Sequence, residues 1–285
     1  MWVFLSLFTA VSLAFSDAFL KLGSKDGSTL SLTAGRLFYA LLVIIPFSII
    51  FNDKASAKEG YWLVFFSALP LEMLAIYLYV KAIKVSPLSL TVPFLSLTPI
   101  FLTIIPKIIL GERLSLLGIT GVLAIALGSY LLNYRKGQNS LFEPVYAIGR
   151  EKGSVYMIIV AFLYALTSTL GKKAIILSSP TYFASTYFIG LAVCFNILSK
   201  IFYRDKVQTK NYFVLISGIL YGVMIISHIY AISLTKVAYM ISIKRLSLIF
   251  SITLGYLIFK EEHLKAHITG GSFMLIGFAM IVMFG

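Results

Sequence analysis

The amino-acid sequence predicts an all-α, multi-pass membrane protein whose ten transmembrane helices form two inverted five-helix repeats. Three observations carry this prediction. Hydrophobic residues make up 59% of the chain and charged residues only 12%, whereas a soluble domain has roughly 25% charged residues. Ten apolar segments follow one another along the chain, and the two halves of the chain resemble each other in sequence.

The ten segments approach the length of about 20 apolar residues that a helix needs to cross a bilayer. They are here called spans 1 to 10 and comprise residues 2–20, 30–51, 61–83, 88–110, 115–132, 155–171, 181–201, 212–233, 237–259 and 268–284. The longest connection is the segment 133–154. Because this connection divides the ten spans into two sets of five, we predict a first repeat at residues 1–132 and a second repeat at residues 155–285.

The evidence for duplication is a shift of 149 positions that aligns the two halves. It places "GERLSLLGITGVLAIALG", which begins at Gly111, opposite "KEEHLKAHITGGSFMLIG", which begins at Lys260. At a slightly different offset, "AFSDAFLK" in span 1 matches "ALTSTLGK" in span 6. Because each half has an odd number of spans, the halves enter the membrane in opposite senses. Inverted repeats of this kind are common in secondary transporters.

Glycines in spans 5 and 10 form a matched pattern within the repeat. Gly121 and Gly128 are a heptad apart, and so are their repeat mates Gly270 and Gly277. Small residues at this spacing give a smooth helix face that suits close helix contact. The contact is either internal or the interface of a homodimer.

The charge distribution between the two membrane faces gives a prediction of orientation. Side A is defined as the face with both termini and side B as the face with the segment 133–154. Lysine and arginine in the connections are concentrated on side B, so the positive-inside rule places side B in the cytoplasm and the termini outside. The net charge of +13 follows mainly from this asymmetry. It does not indicate a nucleic-acid-binding face.

Two motifs resemble the EamA-like ten-helix transporters of the drug/metabolite transporter superfamily. They are "SPLSLTVPFLSLTPIFLTIIPKIILGERLS" around span 4 and "ISIKRLSLIFSITLGYLIFKEEHL" around span 9. The resemblance implies alternating access between the two halves around a central cavity. It also implies cytoplasmic termini, contrary to the charge distribution.

The adjacent Lys244 and Arg245 in span 9 resemble the Lys-Arg pair of the plastid triose-phosphate translocators, which holds a phosphate. That family has a further cation in span 4, but the repeat mate of Arg245 here is Ser96. The resemblance therefore implies an anion site, but the missing cation weakens the case for a phosphate and leaves a singly charged anion possible.

Ionisable residues within the spans are the principal functional candidates, because placing one charged side chain in the membrane costs roughly 2.5–3.5 kcal/mol on insertion scales. They are Asp17, Arg36, Glu72, Lys107, His228, Lys244 and Arg245. At a rise of about 1.5 Å per residue, Lys244 and Arg245 lie about 11 Å from the side A end of span 9. His228 reaches nearly the same depth in span 8. We therefore predict a substrate site of Lys244, Arg245, His228, Glu72 and Ser96. The alternative is that a fixed carboxylate neutralises the two cations.

Four of these ionisable residues have further or different predicted roles. Glu72 either neutralises the cations in the empty carrier or binds a coupling proton. Asp17 and Arg36 both lie toward side B, and their depths predict a structural ion pair. Lys107 is expected to extend its ammonium to the side A surface.

Prolines recur through span 4 at Pro93, Pro99 and Pro106. Each lacks the N–H that a helix needs, so a kinked or broken helix is expected there. Discontinuous helices are typical of transporter cavities.

Motifs of other functional classes are absent from the sequence. It contains no HExxH, paired intramembrane aspartates, Walker loop or plausible Ser–His–Asp set, so we expect no enzyme, no catalytic residue, no metal and no cofactor. The prediction is a secondary active transporter of a small polar, anionic metabolite, driven by a proton or a counter-substrate, in a prokaryotic inner membrane. A flippase for a lipid-linked anion and an exporter of amino acids or other neutral or cationic metabolites stay open as alternatives.

Overall fold

The computed structural model describes residues 1–24, 27–51, 56–87, 92–132, 152–203, 211–259 and 267–285. Within these ranges the regular structure is helical throughout. Spans 1 to 3 are the helices Trp2–Gly23, Thr29–Ile50 and Tyr61–Val85, and span 5 is Leu116–Leu131. Spans 6 to 8 are Lys152–Ile176, Pro180–Tyr203 and Tyr212–Leu234, and span 10 is His267–Phe284.

Spans 4 and 9 are each built from more than one helix. Span 4 is a 3₁₀-helix, Val92–Ser96, followed by the short helices Leu97–Phe101 and Ile105–Leu110. Span 9 consists of Val237–Lys244 and Ser247–Phe259. In the described part of the chain, seven spans are long and apolar enough to cross a membrane, and spans 4, 5 and 10 are shorter. The predicted all-α membrane fold is confirmed.

Polar residues in the connections begin several helices. The Ser28 hydroxyl accepts from the Ser31 N–H at 3.1 Å before span 2, and the Ser115 hydroxyl accepts from the Gly118 N–H at 2.9 Å before span 5. Each bond satisfies an N–H that has no partner in the first turn of its helix. Span 6 begins at Lys152, which is inside the predicted connection 133–154. Residues 133–151 lie outside the described residues.

Packing of the helices follows the repeat. Span 1 packs against spans 8 and 9, and its repeat mate, span 6, packs against spans 3 and 4. Spans 2 and 7 contact each other, and so do spans 5 and 10.

The glycine faces of spans 5 and 10 meet inside the chain. A Cβ at Gly128 would lie 2.6 Å from the Gly270 carbonyl oxygen, and one at Gly121 would lie 2.9 Å from that of Gly277. The two backbones approach this closely only because no side chain stands between them. The structure therefore uses the glycine pattern for internal packing.

Span 4 is interrupted as its prolines predict. After Phe101 the N–H groups of Thr103 and Ile104 bond to carbonyls three residues back, and a new helix begins around Pro106. Pro106 fits there because the first turn of a helix needs no internal N–H donor. Gly111 ends the span in the left-handed conformation, with a φ of 71°.

The break in span 9 has no proline or glycine to mark it. The Leu246 and Leu248 N–H groups bond to the carbonyls three residues back, at 2.9 and 3.0 Å. The helix is thus tightened into a 3₁₀ turn at Lys244 and Arg245. This position is the repeat mate of the point in span 4 where the 3₁₀-helix ends at Ser96. Both repeats therefore break one helix at the same place, near the middle of the bundle.

Candidate functional site

A cavity lies between the two repeats and is lined by residues from spans 1, 3, 6, 7, 8 and 9. Its volume is about 80 Å³, which is room for a few water-sized groups. The lining extends from Leu13 and Tyr79 near the centre of the bundle to Lys172, Phe183 and Ile232 toward side A.

Four of the five predicted substrate-site residues line this single cavity. They are Glu72 from span 3, His228 from span 8, and Lys244 and Arg245 from the break in span 9. Lys244 and Arg245 lie at the break in span 9, and both of these adjacent cations reach the cavity.

The fifth residue, Ser96, does not join them. It is buried and lines a separate, mostly apolar pocket between spans 4 and 5. The alignment of the two repeats predicts where along the helix a residue lies. It does not predict where the side chain points in a 3₁₀ turn. Thr98, two residues further on, supplies the span 4 hydroxyl that contacts Arg245.

Arg245 is almost fully buried, with 3% of its surface exposed. Its Nη2 donates a hydrogen bond to Thr98 Oγ1 at 3.0 Å, and its Nε has no partner among the described residues. The guanidinium is therefore held by a neutral hydroxyl and keeps unused donors.

Lys244 is partly exposed to the cavity. Within the described ranges it forms no hydrogen bond and no salt bridge, although Glu72 and Asp17 attract it electrostatically. The buried Nδ1 of His228 likewise has no partner in that part of the chain. The cavity thus holds several nitrogen atoms without a fixed acceptor.

Glu72 contributes the one carboxylate among the cavity-lining residues that the structure describes. The Thr167 hydroxyl of span 6 interacts with it. Four tyrosines of the lining add hydroxyl groups and ring surface around these charges: Tyr79, Tyr164, Tyr187 and Tyr221.

Asp17 and Arg36 form a buried ion pair, with Arg36 Nη2 2.8 Å from Asp17 Oδ1. Their side chains are 1% and 2% exposed. The Tyr79 hydroxyl donates to the second carboxylate oxygen, and the Tyr221 ring lies 4.0 Å from the guanidinium. The Asp17 carboxylate is therefore fully engaged and does not form a salt bridge with Lys244.

Several residues of the site were not among the predicted ones, and two of them contact its charged groups. Thr98 is one, and no feature of its sequence context marks it. Lys172 is the other, since its ammonium lines the cavity while it pairs with Glu112. The repeat did offer a signal for Lys172, because the match of "AFSDAFLK" with "ALTSTLGK" aligns it with Lys21. Lys107 is exposed at the side A end of span 4, as expected.

Comparison with known proteins supports the same fold. One crystal structure of a protein superposes on this chain with a TM-score of 0.71. The superposition covers 98% of this chain and 95% of the other chain, and the two sequences are 16% identical. A search of curated protein sequences found no match. At this identity the structural likeness shows the fold alone.

The family profile is more specific. The profile of the EamA-like transporter family matches the chain twice, over residues 1–134 and 151–283. The two matches correspond to the two repeats and confirm the resemblance seen in the motifs around spans 4 and 9. The chain therefore belongs to the EamA-like transporter family and is a multi-pass membrane protein of a family that transports small molecules.

Proposed function

We propose that the protein is a secondary active transporter of a small polar, anionic metabolite, which binds in the central cavity and crosses the membrane by alternating access. The observation that carries the proposal is the pair of cations in the cavity, Lys244 and Arg245, without a salt bridge to any described residue. A charge inside a membrane protein is costly and usually faces a partner or a substrate pathway.

The charge balance of the cavity favours an anion. Lys244 and Arg245 share the cavity with Glu72, which is the only unpaired carboxylate among the described lining residues. Asp17 is engaged by Arg36, and the third lysine or arginine of the lining, Lys172, is already paired with Glu112. One positive charge therefore remains when Glu72 is ionised, and two remain when it is protonated.

The unused donors favour a carboxylate or a similar oxyanion. A guanidinium presents its N–H groups as a planar fork that fits two oxygen atoms. Arg245 uses one Nη2 hydrogen bond on Thr98 and leaves Nε free, as far as the described residues show. Lys244 adds a point charge from the adjacent position.

The architecture favours alternating access. The cavity lies between two inverted repeats, and spans 4 and 9 are broken beside it. Helix breaks at a central site are common in secondary transporters. The sequence contains no nucleotide-binding motif, so a proton or a counter-substrate gradient supplies the energy. Glu72 is the residue that would carry a coupling proton.

The test is binding of anions to purified protein. Thermal-shift screening against metabolite anions, cations and neutral solutes would first identify a ligand, since a ligand that binds the folded state raises the melting temperature. Lys244→Gln and Arg245→Gln should then each weaken its binding by about 1.5–3 kcal/mol, or roughly 10- to 150-fold in Kd. Lys107→Gln is the matched control, because that lysine is exposed at the end of span 4.

Two outcomes would contradict the proposal. If both cavity variants bind the anion as well as the parent protein, the cations are structural and the substrate is not an anion. If they fold only when Glu72 is changed to glutamine as well, the cations and Glu72 form an internal ion bridge.

A second candidate substrate is an amino acid. Glu72 lines the same cavity as the two cations, so an ammonium group and a carboxylate could bind together. Glu72→Gln separates the candidates, because it should weaken binding of a zwitterion and leave binding of a simple anion equal or stronger. A lipid-linked anion is distinguished by competition between the lipid and its free headgroup.

A further inference from the structure

We propose that Glu112 is a latch that closes the side A end of the cavity by docking the first repeat onto a socket in the second. The socket consists of Lys172 at the end of span 6 and the start of span 9. This inference rests on alternating access as the transport mechanism, but not on the charge of the substrate.

Three contacts define the latch. The Lys172 ammonium donates to Glu112 Oε1 and, at 2.6 Å, to the Thr235 carbonyl oxygen. The Val237 N–H, in the first turn of span 9, donates to Glu112 Oε2 at 2.9 Å. Both oxygens of the carboxylate are therefore used, one by a cation and one by a helix N-terminus, where negative charge is favoured.

The contacts differ in whether they cross between the repeats. Lys172 and Thr235 both belong to the second repeat, so their bond can persist when the repeats move as units. Glu112 belongs to the first repeat, and both of its bonds cross to the second. When the repeats rock apart at side A, the bonds of Glu112 must break, whereas the socket itself can stay intact.

The latch lies at the end of the cavity. Lys172 lines the cavity while its ammonium holds Glu112. Its side chain and that of Glu112 are 13% and 12% exposed, so the pair is partly shielded from water. Releasing Glu112 would open the route from side A to Ser168, which lines the cavity one turn deeper in span 6.

One part of this socket, the bond between a lysine and a carbonyl, is built a second time on side B. Lys21, the repeat mate of Lys172, ends span 1 and donates to the Ser86 carbonyl oxygen at 2.6 Å. Ser86 is the repeat mate of Thr235 at the shift of 149 positions. Each face of the bundle thus has a lysine that binds the carbonyl before a broken span. Glu261, the repeat mate of Glu112, lies outside the described residues.

The experiment measures access to the cavity from side A without any substrate. A reporter cysteine replaces Ser168 in a Cys194→Ser background, and an impermeant thiol reagent is added to vesicles with side A outward. Glu112→Gln and Lys172→Met should each increase the labelling rate about tenfold, the factor expected from losing one charge-assisted contact. The double variant should label no faster than the faster single variant, because both changes open the same latch.

Controls separate gating from general loosening. Glu59→Gln removes an exposed carboxylate from the same face and should leave labelling unchanged. Lys172→Arg keeps the charge and should keep labelling slow, which gives a second test if Glu112→Gln does not fold.

The proposal is overturned if the latch variants label at the parental rate. It is also overturned if they label equally faster in vesicles with side B outward, since the helices would then have loosened everywhere. A wrong assignment of the substrate as an anion would not affect either result, so failure of the latch and failure of the proposed function are distinguishable.

Discussion

Replacing Asp17 with asparagine should destabilise the protein strongly, because it leaves the buried Arg36 guanidinium without its counter-ion. The two groups are 2.8 Å apart. At an effective dielectric constant of about 20, unit charges at this distance attract each other by roughly 6 kcal/mol. Desolvation offsets part of that attraction, but breaking a buried pair from one side typically costs about 3–5 kcal/mol.

Asparagine keeps one oxygen acceptor for the guanidinium, and Tyr221 still stacks against it at 4.0 Å. We therefore expect Asp17→Asn to cost about 3 kcal/mol, the lower end of that range. Arg36→Met instead leaves the Asp17 carboxylate without its counter-ion and should lower the free energy of unfolding by at least as much. The double variant leaves no unpaired charge, so its cost should be smaller than the sum of the two single changes by about 1–3 kcal/mol.

The assay is reversible unfolding in mixed detergent micelles, with Glu59→Gln as a control for loss of an exposed carboxylate. A cost below about 1 kcal/mol for Asp17→Asn, or strict additivity in the double variant, would refute the reasoning from burial and distance. Full stability with lost transport would instead show that the pair acts in transport and is not structural.

The remaining predictions concern packing, positioning and topology. Gly128→Ala should cost about 1–3 kcal/mol in unfolding experiments, because its Cβ would lie 2.6 Å from a backbone oxygen of span 10; Gly271→Ala, with open space around it, should be neutral or slightly stabilising. Thr98→Val should lower anion affinity several-fold by releasing Arg245, without changing expression, and unchanged affinity would rule out a positioning role. Impermeant thiol labelling of single cysteines at both termini and in the segment 133–154 should place the termini together and that segment opposite. Labelling of the two termini from opposite faces would exclude ten spans, and the same labels would decide which face is cytoplasmic.

The sequence by itself determined the architecture, because solvent and length constrain it so strongly. A chain with 59% hydrophobic residues must lie in the bilayer, where backbone groups are satisfied only in helices or closed barrels. The repeat then followed from matched residues such as Glu112 and Glu261. The few charges within the spans pointed to Lys244 and Arg245, since the cost of burying them demands a reason.

The sequence does not determine how each helix is rotated about its own axis, and only the tertiary structure decided it. Leu37 in span 2 is 1% exposed, whereas Leu63 in span 3 is 75% exposed, although both lie in apolar helices. Lipid and protein core are equally apolar, so hydropathy cannot tell which face of such a helix turns inward. For this reason Ser96 was predicted in the site in place of Thr98.

Contacts between distant segments were likewise settled only by the fold. The glycines of span 5 could have faced a second copy of the chain, and packing placed them against span 10 instead. The break in span 9 has no proline or glycine, so the local sequence does not mark it. The latch joins Glu112 to Lys172 and Val237, which are 60 and 125 positions away in the chain. Local sequence carries no signal for such a contact, because it exists only when the two repeats are docked.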